Sequence, residues 1–185
     1  METVLAGQNE INSIKASAND FLGDAGRFRP DPAVIKASVL GKNMTERDCA
    51  LLASTMRVRR LGPGERLVNE GDSDTRLFLL AAGNLSVIKG RADEETQVSI
   101  MSPGECAGTR AFVDRTPRKA SLQAIGTTIV YSLNPESIES LVDSDLDVAY
   151  KFMRALFSVT HTNLLRVKQE REQLTNYINR SGGRY

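Results

Sequence analysis

Eight glycines punctuate the middle of this chain: Gly62, Gly64, Gly71, Gly83, Gly90, Gly104, Gly108 and Gly126. Short apolar runs lie between them, over residues 66–68, 77–80, 85–88, 98–101, 120–125 and 128–133. Runs this short fall below an ordinary helix of about 10–14 residues. They match strands of about 5–6 residues separated by turns. Regular spacing of such strands predicts a sandwich or barrel. Gly83-Asn84 reads as a tight turn, because both residues tolerate a positive φ.

Helical signals flank the β region. Thr45 followed by Asp48 has the form of a capping box opening a helix over 46–56. Pro135 suits the first turn of a helix running to about Val142. Residues 146–178 contain neither proline nor glycine, which predicts a long helix. Tyr150, Met153, Phe157, Thr160, Leu164, Val167, Arg171, Leu174 and Ile178 recur along it at alternating spacings of three and four. That is the period of a two-stranded coiled coil. Thr160 and Arg171 interrupt the seam, and a helix packed on its own barrel is the other reading. Phe152 and Leu156 favour such packing for the first half, while the second half has little core to cover. Dimerisation through Met153, Phe157, Leu164, Val167 and Leu174 is the expectation. Upstream, residues 1–43 are polar and broken by Gly23, Gly26, Pro30 and Pro32, with Ile11, Ile14, Ala18, Phe21 and Leu22 at helical spacing. The expected organisation is an extension over 1–43, a β domain over 44–143, a long helix over 144–179 and a tail over 180–185.

Composition excludes several function classes. Of 185 residues, 41% are hydrophobic and 25% charged, which is ordinary for a globular protein. Lys and Arg number 24 against 23 Asp and Glu, so the basic excess of a dedicated nucleic-acid binder is missing. The run Arg57-Val58-Arg59-Arg60 reads as a solvated face near a strand. His161 is the only histidine, and CxxC and HExxH are absent, so neither a metal site nor a catalytic histidine is expected. GxxxxGK[ST], GxGxxG and GxSxG are also absent. No catalytic residues and no cofactor are assigned. Cys49 and Cys106 read as reduced thiols of a cytoplasmic protein, and no signal peptide or membrane-inserting segment is expected.

The order of elements carries a resemblance. Leu61-Gly62-Pro63-Gly64-Glu65 with Asn69-Glu70-Gly71-Asp72 resembles the first strands of the cyclic-nucleotide-binding domain family, the β-roll of catabolite activators. Residues 77–87 resemble that family's next hairpin, and residues 104–121 line up with its phosphate-binding cassette. The similarity spans about residues 44–178. It implies an α+β fold: an antiparallel β-roll, similar to a double-stranded jelly roll, with flanking helices and a long C-terminal helix. In the family the cassette's helix start and its arginine hold a cyclic phosphate, and a glutamate binds the ribose hydroxyl. Anions suit exposed N–H groups at a helix start, and arginine supplies charge-assisted bonds. Carried over, Gly104 is the turn glycine and Gly108 opens the short helix with Thr109, Arg110 and Ala111. Pro117-Arg118 then matches the arginine motif, followed by Lys119, Ala120 and Ser121.

The cassette departs from the pattern in two ways. Thr109 stands where the glutamate belongs, and losing that bond costs about 1–3 kcal/mol. Arg110 and Lys119 are bulkier and more charged than usual, so they either fill the pocket or serve a larger anion. Arg118 either binds phosphate or sits in a salt bridge. Thr160, Thr162 and Asn163 lie where family members approach the base, or else face solvent. Family transcription factors continue into a helix-turn-helix, whereas residues 179–185 are all that follows the helix here, so no direct DNA binding is expected. The resemblance implies a stand-alone sensor of cAMP, cGMP or a cyclic dinucleotide, signalling through its own homodimer or a protein partner. The alternative is a domain without ligand that serves as a protein-interaction scaffold.

Overall fold

A computed structural model describes residues 29–90 and 94–162 of the chain. Its helices and strands follow in the order α1 (Pro32–Ala37), α2 (Glu46–Thr55), β1 (Arg57–Leu61), β2 (Arg66–Val68), β3 (Leu77–Ala82), β4 (Leu85–Lys89), β5 (Thr96–Met101), β6 (Cys106–Ala107), α3 (Thr109–Asp114), β7 (Ser121–Ala124), β8 (Thr128–Leu133) and α4 (Pro135–Ser144). Residues 146–162 are helical and are labelled α5 here. The strands make two antiparallel four-stranded sheets, ordered β1-β8-β3-β6 and β2-β7-β4-β5. This is the α+β β-roll that the sequence resemblance implied.

Strand periodicity explains how the layers stack. Side chains alternate faces along a strand. On β3, Phe78 and Leu80 point into the roll, where they meet Leu61, Leu67, Leu85, Met101, Leu122 and Val130 from both sheets. Leu77, Leu79 and Ala81 point the other way, into a second cluster with Ile129, Tyr131 and Leu133 of β8. That cluster is closed by helical side chains: Ile35, Leu52, Phe112, Ile138, Leu141, Phe152 and Leu156. β3 and β8 pair directly, with Leu79 opposite Tyr131 and Leu80 opposite Val130. Both are apolar along most of their length because neither has a face toward water.

The tight turn at Gly83-Asn84 joins β3 to β4 as expected. Gly83 has φ +80°, and a Cβ there would lie 2.5 Å from the Thr127 carbonyl oxygen. The capping box at α2 is complete. Asp48 N–H donates to Thr45 Oγ1 at 3.2 Å, and Thr45 N–H donates to Asp48 Oδ2 at 2.9 Å. Asp48 also accepts from Lys151 Nζ of α5 at 2.8 Å, so one buried carboxylate ties α2 to the C-terminal helix. Burial would raise its pKa, but the bonds from Lys151 and Thr45 hold it below the ordinary carboxylate value.

Three expectations need adjusting or bounding. The boundary placed at residue 43 cuts through a packed unit: Val34, Ile35, Leu40 and Met44 are all in the helical core cluster. β1 and the two-residue β6 were not marked as strands. β1 escapes a hydrophobic reading because its arginines alternate at a sheet edge, and β6 because two residues carry no period. On α5, Val148, Ala149, Phe152, Ala155 and Leu156 pack inward. Leu146, Tyr150, Met153 and Phe157 lie on another side and are exposed, Phe157 at 75%. Leu164, Val167 and Leu174 of the expected seam lie outside the described residues, as does the candidate helix near Ile11.

A core substitution and a surface one separate these layers. Leu79→Ala removes a fully buried side chain between the sheet and the helices, and should cost about 2–5 kcal/mol in urea unfolding. Ile100→Ala, on the exposed side of edge strand β5, should stay within about 0.5 kcal/mol of wild type.

Candidate functional site

Arg118 is charged, yet its side chain is only 3% exposed. Its main chain is pinned first. Arg118 N–H donates to the Asp72 carbonyl at 2.9 Å, and Gly71 N–H donates to the Arg118 carbonyl at 2.9 Å. The loop between β2 and β3 therefore fixes where the side chain starts. The guanidinium then lies over the Phe78 ring, 4.6 Å from its centroid. Nη2 donates to Asp74 Oδ1 at 2.7 Å and to the Arg76 carbonyl at 2.6 Å.

Asp74 holds this end of the loop together. It accepts from Arg76 N–H and Nε, each at 2.9 Å, and from Arg76 Nη2. Burial alone would raise the Asp74 pKa. The bonds from Arg76 and Arg118 outweigh it and bring the carboxyl down to about 2. Burial pulls the Arg118 pKa below its ordinary value, opposed by the Asp74 carboxylate. Arginine remains protonated across any accessible pH.

The other half of the guanidinium has no partner. Nε and Nη1 of Arg118 are buried and donate to no acceptor among the described residues. Arginine carries five N–H donors, of which three belong to these two atoms. Leaving a buried charged donor unpaired costs more than leaving a neutral one. These donors abut Gly108, the first residue of the α3 turn. A Cβ on Gly108 would lie 2.0 Å from Arg118 Nη1 and 2.9 Å from the Arg76 carbonyl oxygen. Gly108 has φ +84° and acts as the N-cap of α3 without a side-chain capping bond. Only glycine satisfies both constraints, the close approach and the left-handed backbone.

A cleft of about 640 Å³ opens above this pair. Gly108, Thr109, Arg110, Ala111, Arg118, Lys119 and Ala120, the cassette residues singled out in the sequence, all line it. Val87, Met101 and Leu122 supply an apolar wall from the second sheet, with Ser99 beside them. Cys106 also lines the cleft, and burial pushes its thiol well above the ordinary value, so it is not a thiolate. Arg110 turns outward, 69% exposed and 3.7 Å from Asp114.

The C-terminal helix meets the cleft through Ser158, Val159 and Thr162. Thr160, a candidate base contact, is not among the lining residues, and its hydroxyl donates instead to the Leu156 carbonyl at 2.9 Å. At about 100° per residue, residues 158, 159 and 162 share a face that 160 does not. Asn163, the other candidate, lies outside the described residues. Asp74, Phe78, Val39 and Lys42 were missed. A short acid-rich segment, Asp72-Ser73-Asp74, before an apolar strand was the available signal for Asp74. Lys42 had none, because it reaches the cleft from the α1–α2 connection.

Residues 58–145 match the family model of the cyclic nucleotide-binding domain. Over that stretch the chain is similar to the cyclic nucleotide-binding domain family. The cAMP-dependent protein kinase type II regulatory subunit of Drosophila melanogaster is 28% identical over 98 residues, which cover 52% of this chain and 26% of that protein. This chain thus spans about a quarter of that relative's length. Among solved structures, a cyclic nucleotide-binding domain from Methylobacillus flagellatus aligns with TM-score 0.67 at 20% identity, covering 74% of this chain and 78% of the other. The Thermus thermophilus catabolite activator protein aligns with TM-score 0.63 at 23% identity, covering 75% and 63%. At these identities the structures establish the shared fold. Among the described residues, no helix is long and apolar enough to cross a membrane.

The Arg118–Asp74 pair should show in acid. Asp74 is depressed when folded, so its contribution is complete above its unfolded pKa near 3.8 and is lost as pH falls toward about 2. Asp74→Asn should be less stable at pH 7 by about 2 kcal/mol or more. That difference should shrink between pH 4 and about pH 2 in urea unfolding followed across pH.

Proposed function

We propose that this chain is a regulatory module that senses a nucleotide second messenger in the cleft lined by Gly108 and Arg118. The observation carrying this reading is the buried Arg118 guanidinium, with Nε and Nη1 unpaired beside a glycine turn. A phosphate would supply the missing acceptors through charge-assisted bonds. The apolar wall of Val87, Met101 and Leu122 suits a base or sugar face. cAMP, cGMP and cyclic dinucleotides are the candidate ligands. Thr109 offers a hydroxyl where a carboxylate would bind ribose more strongly. Thr162 of α5 is the side chain placed to approach the base.

The output of such a sensor is α5. Phe112 of α3 meets Phe152 of α5 edge-to-face, with ring centroids 6.0 Å apart and planes at 68°. A ligand that draws in α3 therefore acts on α5 through one aromatic contact. Control requires the ligand to favour one α5 position over another. The exposed stripe of Leu146, Tyr150, Met153 and Phe157 then serves a second copy of the chain, or a protein partner. Two free cysteines accord with a reducing, cytoplasmic setting.

A second reading has one observation in its favour. Arg118 already has Asp74 as a counter-ion, and Thr109 lacks the charge of a ribose-binding carboxylate. On that reading the domain is a protein-interaction scaffold without nucleotide.

Thermal unfolding of nucleotide-stripped protein separates the two. At about 100 times its dissociation constant, a true ligand adds about 2.7 kcal/mol of stability. That shift is expected with one of the three ligand types, and Arg118→Ala should abolish it. No shift with any would favour the scaffold. Sedimentation velocity tests the helix: a wild-type dimer should dissociate on Phe157→Asp, and a monomeric wild type would end the homodimer reading.

A further inference from the structure

The cleft carries more positive charge than one phosphate can use. Four cationic side chains line it, Lys42, Arg110, Arg118 and Lys119, against a single carboxylate, Glu105. Arg118 is matched by Asp74, and Arg110 leans toward Asp114. Glu105 closes its own turn, its Oε2 accepting from Ser102 N–H at 2.9 Å. Lys42 and Lys119 are different. Both are exposed at the rim, and neither makes an ion pair or hydrogen bond among the described residues.

The two lysines reach the cleft from separate parts of the chain. Lys119 follows Arg118 directly, and its Cα lies about 3.8 Å further along. Arg118 is turned into the protein and Lys119 out to the rim. Lys42 arrives with Val39 from the connection between α1 and α2. This connection is held to the cassette turn by Val39 N–H donating to the Gly104 carbonyl at 3.1 Å. The cleft therefore has a buried cationic floor with free donors and a separate cationic rim. Its volume, about 640 Å³, lies within the range of about 300–1,000 Å³ of small-molecule sites.

We propose that the cleft takes a nucleotide with two phosphate groups, one on Arg118 and the other held by Lys42 and Lys119. This rests on the nucleotide-binding reading above and narrows it. A single cyclic phosphate is served by the free Nε and Nη1 donors of Arg118, and leaves the rim lysines facing water. A second phosphate gives each of them an anion. A cyclic dinucleotide and a linear one share this chemistry.

The test is calorimetric titration of the full chain with cyclic di-GMP, cyclic di-AMP, linear pGpG, cAMP and cGMP. At least one two-phosphate nucleotide should bind about tenfold or more tightly than either cyclic mononucleotide. The double variant Lys42→Gln, Lys119→Gln should remove that margin, bringing the two-phosphate nucleotides to within about threefold of the cyclic mononucleotides. The cyclic and linear ligands tell the two sources apart. Both lysines are exposed, so a melting curve should confirm an intact fold. Cyclic AMP or GMP binding as tightly as every two-phosphate nucleotide would overturn this proposal and leave nucleotide sensing standing. So would a double variant that keeps the margin. Absence of binding by all five would overturn both.

Discussion

Everything in this molecule depends on the β3–β8 pair being buried on both sides. Leu77, Leu79, Ile129, Tyr131 and Leu133 hold the helical layer, while Phe78, Leu80 and Val130 hold the second sheet. The hydrophobic core is thus two cores sharing one pair of strands. Removing either layer would expose half of that pair to water. The same pair sets the site. Phe78 is both a core residue of the roll and the ring beneath the Arg118 guanidinium. β6, which leads into the glycine turn at Gly108, is paired to β3 through Phe78 and Leu79.

The site departs from the economy of the core around it. A buried arginine with unpaired donors opposes folding, since a buried ion pair seldom recovers its desolvation and orphaned donors recover none. The loop from Asn69 to Arg76 offsets part of this through Asp74 and the Arg76 carbonyl. What remains is a residue with unmet hydrogen-bonding capacity in the lining of an open cleft. Binding can then satisfy donors that folding left unsatisfied. The contact of Phe112 with Phe152 puts α5 within one residue layer of that event.

Much of this was legible in the amino-acid order. Glycine spacing marked the strands because turns with positive φ exclude most other residues, as at Gly83. The capping box at Thr45 and Asp48 was legible because its two bonds join residues three apart. The residues from 108 to 111 and from 117 to 120 that line the cleft were legible as an ordered string. Long-range partnerships were not. Asp74 lies 44 residues from Arg118, and no local period links them. Lys42 enters the cleft only because α1 and α2 fold back over the roll. The choice of Thr162 rather than Thr160 on the cleft face follows from the rotation of α5, which is set by where Phe152 and Leu156 pack.

By itself, then, the amino-acid sequence determined the kind of fold and much of the string of residues that line the cleft. Both rest on short-range rules: strand alternation, turn stereochemistry and helix capping. Only the tertiary structure decided that Arg118 is buried against Asp74 and Phe78 with two nitrogens unpaired, and that Lys42 joins Lys119 on the cleft. Those facts depend on contacts between distant segments, and burial is a property of what surrounds a residue rather than of the residue itself.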